Sequence, residues 1–174
     1  VRVIPNGQMS QWLSNELTPD DSLYLRGPSG DCFYTSGKPE QPLLLLATGT
    51  GLAPLYGILR DALQAGHSGP IHLVHGATSR AGLYFEDVIS GLAATHQNLS
   101  YERCILQGES EPGVSVGDLR ALVKARFPAL RGFRVFICGD PALPLALKKW
   151  AFLAGASMKE ILADAFVMSP PPAA

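Results

Sequence analysis

The sequence contains few cysteines and no excess of charge of either sign. Its 174 residues include three cysteines, Cys32, Cys104 and Cys138, an odd number at wide spacing. This pattern argues against a disulfide framework or a zinc knuckle, so we expect reduced thiols and no metal site. The formal net charge is −1, and the chain therefore lacks the positive field that holds nucleic acid or an anionic membrane surface.

Long uninterrupted hydrophobic runs are also missing. The longest, PLLLLATGTGLAPLYGIL at residues 42–59, is broken by Gly, Thr and Pro and is too irregular to span a bilayer. The first residues, VRVIPNGQMS, lack the basic, apolar and small-residue zones of a secretory signal. These absences predict a cytoplasmic protein with neither a nucleic acid nor a membrane as partner. The composition that remains, 47% hydrophobic and 17% charged, is typical of a globular α/β domain.

Apolar strands and amphipathic helices alternate through most of the chain. The predicted strands cover residues 43–48, 70–77, 99–106, 133–138 and about 160–166. The predicted helices cover residues 54–65, 83–94, 116–127 and 142–154. This alternation predicts a Rossmann-like α/β fold, with a five-stranded parallel sheet of order 3-2-1-4-5 and helices on both faces. Ligands of such sheets bind at the carboxyl ends of the strands, beside strand 1.

A different pattern precedes the glycine- and proline-rich segment at residues 27–42. Residues 1–5 and 21–28 are predicted strands, and residues 9–17 are a predicted helix with Ser10 as its N-cap. Such a short region cannot form a core alone. It is therefore either the remnant of a larger β domain or a segment that packs on the α/β region after it.

The first strand of the alternating pattern ends in Thr48-Gly49-Thr50-Gly51 and passes directly into a helix behind Pro54. Glycine lets a backbone approach a diphosphate closely, and a proline at the first helical position needs no N–H. The N-terminus of the helix would then face an anion. Because Pro54 replaces the third glycine of the dinucleotide motif G-x-G-x-x-G, a plain tight turn remains the alternative.

The second strand of this pattern ends without the acidic residue that usually holds a ribose diol. Ser79 and Arg80 follow it instead, and no acid occurs before Glu86. Ser79 and Arg80 can hold a 2′-phosphate. The alternative is an arginine in a solvated loop.

Two further strand or helix ends are candidate ligand-binding positions. The strand at 133–138 ends in Cys138-Gly139-Asp140-Pro141, at the same sheet edge as the first corner. A buried thiol at a strand end is otherwise a packing residue. Gly7 precedes the short N-terminal helix, whose free N–H groups offer a place for a second pair of phosphates, unless it is simply a capped helix.

Taken together and in this order, six motifs resemble the ferredoxin-NADP reductase superfamily of flavoproteins. The resemblance is strongest to the NADH-dependent reductase components of bacterial oxygenases, such as methane monooxygenase and phenol hydroxylase reductases. The motifs are GQMSQWL, GPSGDCF, ATGTGLAPL, GATSRAGLYFEDV, CGDPALPLALKK and GASMKEILADAF. The resemblance implies that FAD binds a β-barrel domain and NADH or NADPH binds a Rossmann-like domain. Hydride then passes to the flavin, and electrons leave singly to an iron-sulfur protein, a ferredoxin-like domain or an oxygenase component.

The resemblance also implies a role for each matching residue. The flavin pyrophosphate would be lined by Gly7, Met9 and Ser10. The nicotinamide pyrophosphate would be held by Thr48, Gly49, Thr50, Gly51 and Pro54, and the adenosine ribose would lie near Ser79 and Arg80. The nicotinamide ring would be flanked by Cys138 and Gly139, in the corner completed by Asp140 and Pro141. Phe166 would lie against the isoalloxazine ring, so that Cys138 and Phe166 are the predicted catalytic positions, as walls and not as acid or base.

Two motifs of the family are absent, R-x-Y-[ST] for the flavin and C-x4-C-x2-C for an iron-sulfur cluster. The resemblance therefore predicts that residues 1–40 are the C-terminal part of a truncated FAD-binding barrel. Residues 41–168 are the predicted NAD(P)-binding domain, and residues 169–174, SPPPAA, are a predicted disordered tail. We expect FAD to bind this chain weakly or not at all.

Other functions remain as alternatives. A nucleotide-binding or regulatory module of this fold would lack redox turnover, and its intact parent chain would bind FAD without reducing ferricyanide. A hydrolase is disfavoured because no G-x-S-x-G elbow and no Ser-His-Asp set can be placed. The choice between NADH and NADPH stays open, because Arg80 favours a phosphate whereas the resemblance to oxygenase reductases favours NADH.

Overall fold

The computed structural model describes residues 3–27 and 29–167. The chain divides into two units, Val1–Asp31 and Cys32–Ala174. The predicted disordered tail at residues 169–174 lies outside the described residues.

The described part of the N-terminal unit contains one helix, α1, at Gln8–Asn15, where a helix was predicted. Ser10 is not its N-cap, because Gly7 occupies that position and no side chain caps the helix. The Ser10 hydroxyl lies in the first turn, where it accepts the N–H of Ile4 at 3.0 Å and donates to the carbonyl of Gly7 at 3.1 Å. The prediction of a serine cap is wrong because this hydroxyl fixes the turn before the helix instead.

The strands predicted in the N-terminal unit are wrong over the residues described. Neither residues 3–5 nor residues 21–27 belong to a strand. Tyr24 and Leu25 are almost fully exposed, at 101% and 93%. A strand exists only where a neighbour supplies hydrogen bonds, and no described residue of this unit pairs in a sheet. The run Leu23-Tyr24-Leu25 favours an extended backbone but has no partner strand among the described residues.

The C-terminal unit is an α/β fold built on one parallel sheet. Its strands are β1 at Leu43–Thr48, β2 at Ile71–Ala77, β3 at Leu99–Ile105, β4 at Val114–Val116, β5 at Arg134–Gly139 and β6 at Ile161–Ala165. Its helices are α2 at Leu52–Gln64, α3 at Glu86–Thr95, α4 at Leu119–Arg126 and α5 at Ala142–Leu153. The strand order is β4-β3-β2-β1-β5-β6. The predicted fold class is confirmed, and the five predicted strands lie in the predicted order.

The sixth strand, β4, was not predicted. Its three residues, Val114–Val116, pair in parallel with the end of β3. Three residues are too few to show a period of two, and they were partly assigned to the following helix. That helix begins later than predicted, at Leu119, because the Asp118 side chain caps it by accepting the N–H of Arg120 at 2.9 Å.

The core lies on both faces of the sheet. The apolar residues of β1, from Leu43 to Ala47, are all buried. Leu44 and Leu46 pack in one cluster with residues of α4 and α5, whereas Leu43 and Leu45 pack in the other with residues of α2 and α3. Because helices cover both faces, the first five side chains of the central strand are all buried, which explains the unbroken run LLLLA. Burying each leucine stabilises the fold by roughly 1.5–3 kcal/mol.

Two kinds of feature are absent from residues 3–27 and 29–167. None of the helices there combines the length and the apolar character that crossing a membrane requires. Nor do three or more His, Cys, Asp or Glu side chains cluster there in a way that would hold a metal ion.

Candidate functional site

The side of the sheet on which successive strands are added switches between β1 and β5. From β1 the chain passes to β2 on one side, and after β4 it crosses back to β5 on the other. Ala47 of β1 lies opposite Cys138 of β5, so the loops that follow these two parallel strands leave the same edge side by side. In open α/β sheets such a switch leaves a crevice beyond the strand ends, and ligands bind in it.

The corner after β1 is a single 3₁₀ turn, Gly49–Gly51, that leads into α2. A Cβ at Gly51 would overlap the carbonyl group of Cys138 and lie 2.6 Å from Cα of Gly139, so only glycine lets the corner pass β5. Gly49 has φ +51° and no atom within 4 Å of where its Cβ would be. Close approach of the backbone to a ligand was predicted for both glycines. The geometry suits Gly49 for it, whereas Gly51 serves the contact with β5.

The N-terminus of α2 has no side-chain cap. Gly51 is its N-cap, and neither Gly51 nor Thr48, which precedes the 3₁₀ turn, supplies a capping hydrogen bond. The first turn also contains no acidic residue. The Leu52 amide donates to carbonyl oxygens of the 3₁₀ turn, and Pro54 has no amide N–H. The amides that can face an anion are therefore those of the Gly49–Gly51 turn, at the positive end of the α2 dipole. Pro54 is the third helical residue and not the first, as predicted, because the 3₁₀ turn starts the helix at Leu52.

A second corner, Gly139-Asp140-Pro141, follows β5 and is joined to the first. Gly139 has φ +139°, and a Cβ there would lie 2.7 Å from the Thr48 carbonyl oxygen. The Thr48 hydroxyl accepts the N–H of Asp140 at 3.3 Å. The Asp140 carboxylate in turn accepts the N–H of Ala142 at 2.9 Å, at the start of α5. The N-terminus of α5 therefore already holds a negative charge, whereas that of α2 does not.

The two predicted catalytic residues reach this edge from neighbouring strands. Cys138 is fully buried in β5, and Phe166 extends β6 by donating its N–H to the Gly139 carbonyl at 2.8 Å. The Sγ atoms of Cys138 and Cys32 are 3.8 Å apart. The hydrogen bond between the two thiols, together with burial, raises the pKa of Cys138, so its thiol is protonated at neutral pH. A protonated thiol suits the wall of a pocket and not a nucleophile.

Arg80 lies just beyond the end of β2 and is paired with acidic side chains. Its guanidinium contacts Glu86, and its Nε is 2.9 Å from a carboxylate oxygen of Glu111. Arg103 also binds Glu86, at 3.1 Å. Burial raises the pKa of Glu86, but the hydrogen bonds from the two arginines outweigh it and lower that pKa overall. Ser79, the preceding residue, is exposed.

The role of Glu111 was missed at the sequence level. It lies in the loop between β3 and β4, far from Arg80 along the chain, and no spacing rule connects the two positions. Glu86 was noted only as the first acid after β2. Its six-residue separation from Arg80 was the one local signal of this ion pair.

The three residues assigned to the flavin pyrophosphate belong to the N-terminal unit. Gly7 precedes the first turn of α1, Ser10 lies in that turn, and Met9 is exposed there. The Ser10 hydroxyl accepts the N–H of Ile4 and not an amide of α1, and the Gly7 amide donates to the Ile4 carbonyl at 2.9 Å. Their role stays a prediction.

The histidines do not form a hydrolytic site in the described residues. His72 Nδ1 is 2.7 Å from Ser100 Oγ, but His72 lies near the first residue of β2, at the end away from the candidate edge, and packs against Phe127. His75 is fully buried, and its Nδ1 is 3.2 Å from the Tyr101 hydroxyl. These contacts belong to the sheet.

Comparisons with known proteins give a consistent result. The family described as Oxidoreductase NAD-binding domain matches residues 45–149. The chain is 36% identical over 169 residues to the ferredoxin–NAD(P)(+) reductase component of the naphthalene 1,2-dioxygenase/salicylate 5-hydroxylase systems of a Ralstonia species, covering 97% of this chain and 51% of that protein. It is 33% identical over 166 residues to the corresponding component of the naphthalene 1,2-dioxygenase system of Pseudomonas putida, covering 95% and 50%.

A solved structure extends this similarity to three dimensions. The cytochrome P450 reductase GcoB of Amycolatopsis matches with a TM-score of 0.85 and 29% identity, over 95% of this chain and 50% of that one. The chain thus spans about half the length of the relatives it matches.

Proposed function

Because this chain belongs to the oxidoreductase NAD-binding domain family, within the ferredoxin-NADP reductase superfamily, we propose that its corner between β1 and β5 binds NAD(P)H in a flavin-dependent reductase. The family membership confirms the resemblance that the six motifs predicted. The observation that carries the proposal for the site is the uncapped N-terminus of α2, which follows the Gly49–Gly51 turn at the point where the sheet reverses.

The residues at the corner fit a dinucleotide diphosphate. An anion is attracted by the positive end of the α2 dipole, which lies at the Gly49–Gly51 turn, and Gly49 leaves its approach open. The start of α5 is less suitable because the Asp140 carboxylate occupies it. In this arrangement the diphosphate lies on the β1 side, and the nicotinamide ring lies on the β5 side, beside Cys138 and Gly139.

The chemistry of the complete reductase depends on a second cofactor. FAD would supply the acceptor for a hydride from NAD(P)H and the means to pass electrons on singly. Gly7, Met9 and Ser10 are the residues of this chain that we propose for its pyrophosphate. The two relatives at 36% and 33% identity are named as reductase components of dioxygenase systems, which supports an iron-sulfur protein or an oxygenase component as the electron acceptor.

The residues of this chain position the nicotinamide and exclude water. Hydride transfer needs two aligned rings and no proton donor at the reacting carbon. The buried, protonated Cys138 offers a small wall without charge, and Phe166, fixed through its N–H to the Gly139 carbonyl, stands at the same edge. We assign these two residues to the ring end of the site and the amides around Gly49 to the diphosphate end.

The diphosphate assignment can be tested by adding one negative charge at Gly49. Gly49→Asp and Gly49→Asn are nearly isosteric, and both side chains tolerate the left-handed backbone of this position. We expect the aspartate variant to bind NADH about tenfold or more weakly than the asparagine variant in isothermal titration, because it places a carboxylate beside the anion. The difference should shrink at high salt. Equal affinities of the two variants would show that the diphosphate lies elsewhere.

The ion pairs of Arg80 favour NADH over NADPH. A 2′-phosphate would have to share the guanidinium with Glu86 and Glu111 and would be repelled by both carboxylates. We therefore propose NADH as the preferred coenzyme, by about tenfold, roughly 1.4 kcal/mol. Glu111→Gln should strengthen NADPH binding and so reduce the preference for NADH. Glu109→Gln removes a charge from the same loop and is the matched control, which should leave the preference as it is. Paired titrations with NADH and NADPH measure the preference. Tighter binding of NADPH than of NADH by the unsubstituted chain would contradict the proposal.

A further inference from the structure

Two of the three cysteines meet at the candidate site. Cys32 and Cys138 are separated by 106 positions along the chain, yet their Sγ atoms are 3.8 Å apart in the C-terminal unit. A disulfide requires about 2.0 Å between the sulfurs, so the two Sγ atoms must approach each other by about 1.8 Å to bond. Both cysteines are free thiols.

From this pairing we infer that Cys32 and Cys138 are a reversible oxidation site, at which a peroxide or a low-molecular-weight disulfide links the two sulfurs and weakens nucleotide binding. The effect on the nucleotide rests on the proposed function, since Cys138 is there assigned to the nicotinamide wall. The formation of the disulfide does not depend on that assignment.

The two thiols differ in exposure and in acidity, and this sets the order of reaction. Cys32 is half-buried, whereas Cys138 has no exposed surface. The hydrogen bond from the Cys138 thiol lowers the pKa of Cys32, and the charge of Arg134 acts in the same direction, against burial and the charge of Asp164. Cys32 therefore loses its proton first and meets an oxidant first, and Cys138 is the resolving thiol.

With hydrogen peroxide the reaction proceeds in two balanced steps. The Cys32 thiolate attacks one peroxide oxygen, an S–O bond forms, the O–O bond breaks, and hydroxide takes up a proton to become water. The Cys138 sulfur then attacks the Cys32 sulfenic acid, the S–S bond forms and the S–O bond breaks. The proton of Cys138 leaves with the hydroxyl group as a second water. Two thiols are oxidised by two electrons in total, and one peroxide is reduced. A dithiol such as dithiothreitol reverses the change.

The linkage would alter the site because of the groups that surround Cys138. The carbonyl of Cys138 is the group against which Gly51 packs, and the next residue, Gly139, packs against Thr48. A bond to Cys32 replaces a small neutral thiol by a covalent tether at this crowded point. We expect the oxidised chain to bind NADH at least about tenfold more weakly, which corresponds to 1.4 kcal/mol or more.

The experiment treats the chain with hydrogen peroxide or oxidised glutathione and then maps its peptides under non-reducing conditions. We expect one peptide pair linked through Cys32 and Cys138, lighter by two hydrogens than the separate thiols and released by dithiothreitol. Cys32→Ser should abolish the linked pair and keep the NADH affinity constant under oxidation. Cys104→Ser is the matched control, because Cys104 is buried in β3 beside the Gly117 carbonyl and should leave the linkage intact.

Two results would overturn the inference or part of it, and a third would overturn the proposed function alone. If Cys32 is oxidised to a sulfinic acid or a mixed disulfide while Cys138 stays a free thiol, the oxidation site is wrong. If the linked pair forms but NADH binds as before, the effect on the nucleotide is wrong. If the reduced chain binds no NADH while the linked pair forms, the proposed function fails and the oxidation site stands. Peptide mapping of the unsubstituted chain decides the first result even where a serine variant fails to fold.

Discussion

Replacing Gly51 by alanine is expected to lower the free energy of unfolding by about 3 kcal/mol or more. The added Cβ would overlap the carbonyl group of Cys138 and approach Cα of Gly139 to 2.6 Å. Both groups are main chain of β5, which the sheet holds on both sides, so neither can rotate away as a side chain would. Urea denaturation followed by circular dichroism measures the change.

A second glycine of the same helix supplies the control. Gly57 lies in the middle of α2, is exposed, and has no atom within 4 Å of where a Cβ would be. Gly57→Ala should therefore stabilise the chain by about 0.5–1 kcal/mol, because alanine restricts the unfolded state and favours the helix. If Gly51→Ala unfolds at the same urea concentration as the unsubstituted chain, the corner does not require the close main-chain approach described for it.

The second large effect is a loss of stability on mild acidification. His75 lies in β2 without exposed surface, with one ring nitrogen 3.2 Å from the Tyr101 hydroxyl and its ring edge-on to Tyr84. Burial lowers its pKa from 6.5 to about 4, against the opposing charge of Glu86. The folded chain thus keeps His75 neutral at pH values where the unfolded chain has already protonated it.

The sign of the effect depends on which state binds the proton. Between the pKa of the unfolded state, 6.5, and that of the folded state, about 4, the unfolded chain carries more protons, so stability falls as the pH falls. From about pH 7 to pH 5 we expect a loss of about 2 kcal/mol from this group. Burial also lowers the pKa of His67 and of His72, so their contributions have the same sign.

Urea denaturation at a series of pH values tests this linkage. His75→Gln keeps a hydrogen-bonding group near Tyr101 but removes the group that is protonated. Between pH 7 and pH 5 this variant should lose about 2 kcal/mol less of its free energy of unfolding than the unsubstituted chain. A decline of equal steepness in the His75 variant would assign the acid sensitivity to other groups.

The sheet could be predicted from the sequence because its information is local. Buried runs such as 43–47 and helices of 8 to 13 residues are indicated by hydrophobic period, and the handedness of βαβ units then fixes most of the strand order. The errors occur where periodicity is short or unpartnered. β4 has three residues, and residues 21–27 find no neighbouring strand among the described residues.

The candidate site could be predicted only in part, for a related reason. The Thr48–Pro54 and Cys138–Pro141 corners were found because each comes directly after a predicted strand. The contacts that decide their chemistry join distant positions. Glu111 reaches Arg80 from the loop before β4, and Cys32 reaches Cys138 across 106 positions. Side-chain pairs at such separations leave no periodic or spacing signal in a single sequence.

The packing of Gly51 on Cys138 and of Gly139 on Thr48 has one more consequence. Gly51 packs on main chain, and Gly139 packs on both the carbonyl and the hydroxyl of Thr48, so the two corners hold each other in place without a ligand. Binding of a nucleotide at the proposed site should then require no folding of a flexible loop and should cost little conformational entropy. The proposed binding surface is in this sense preorganised.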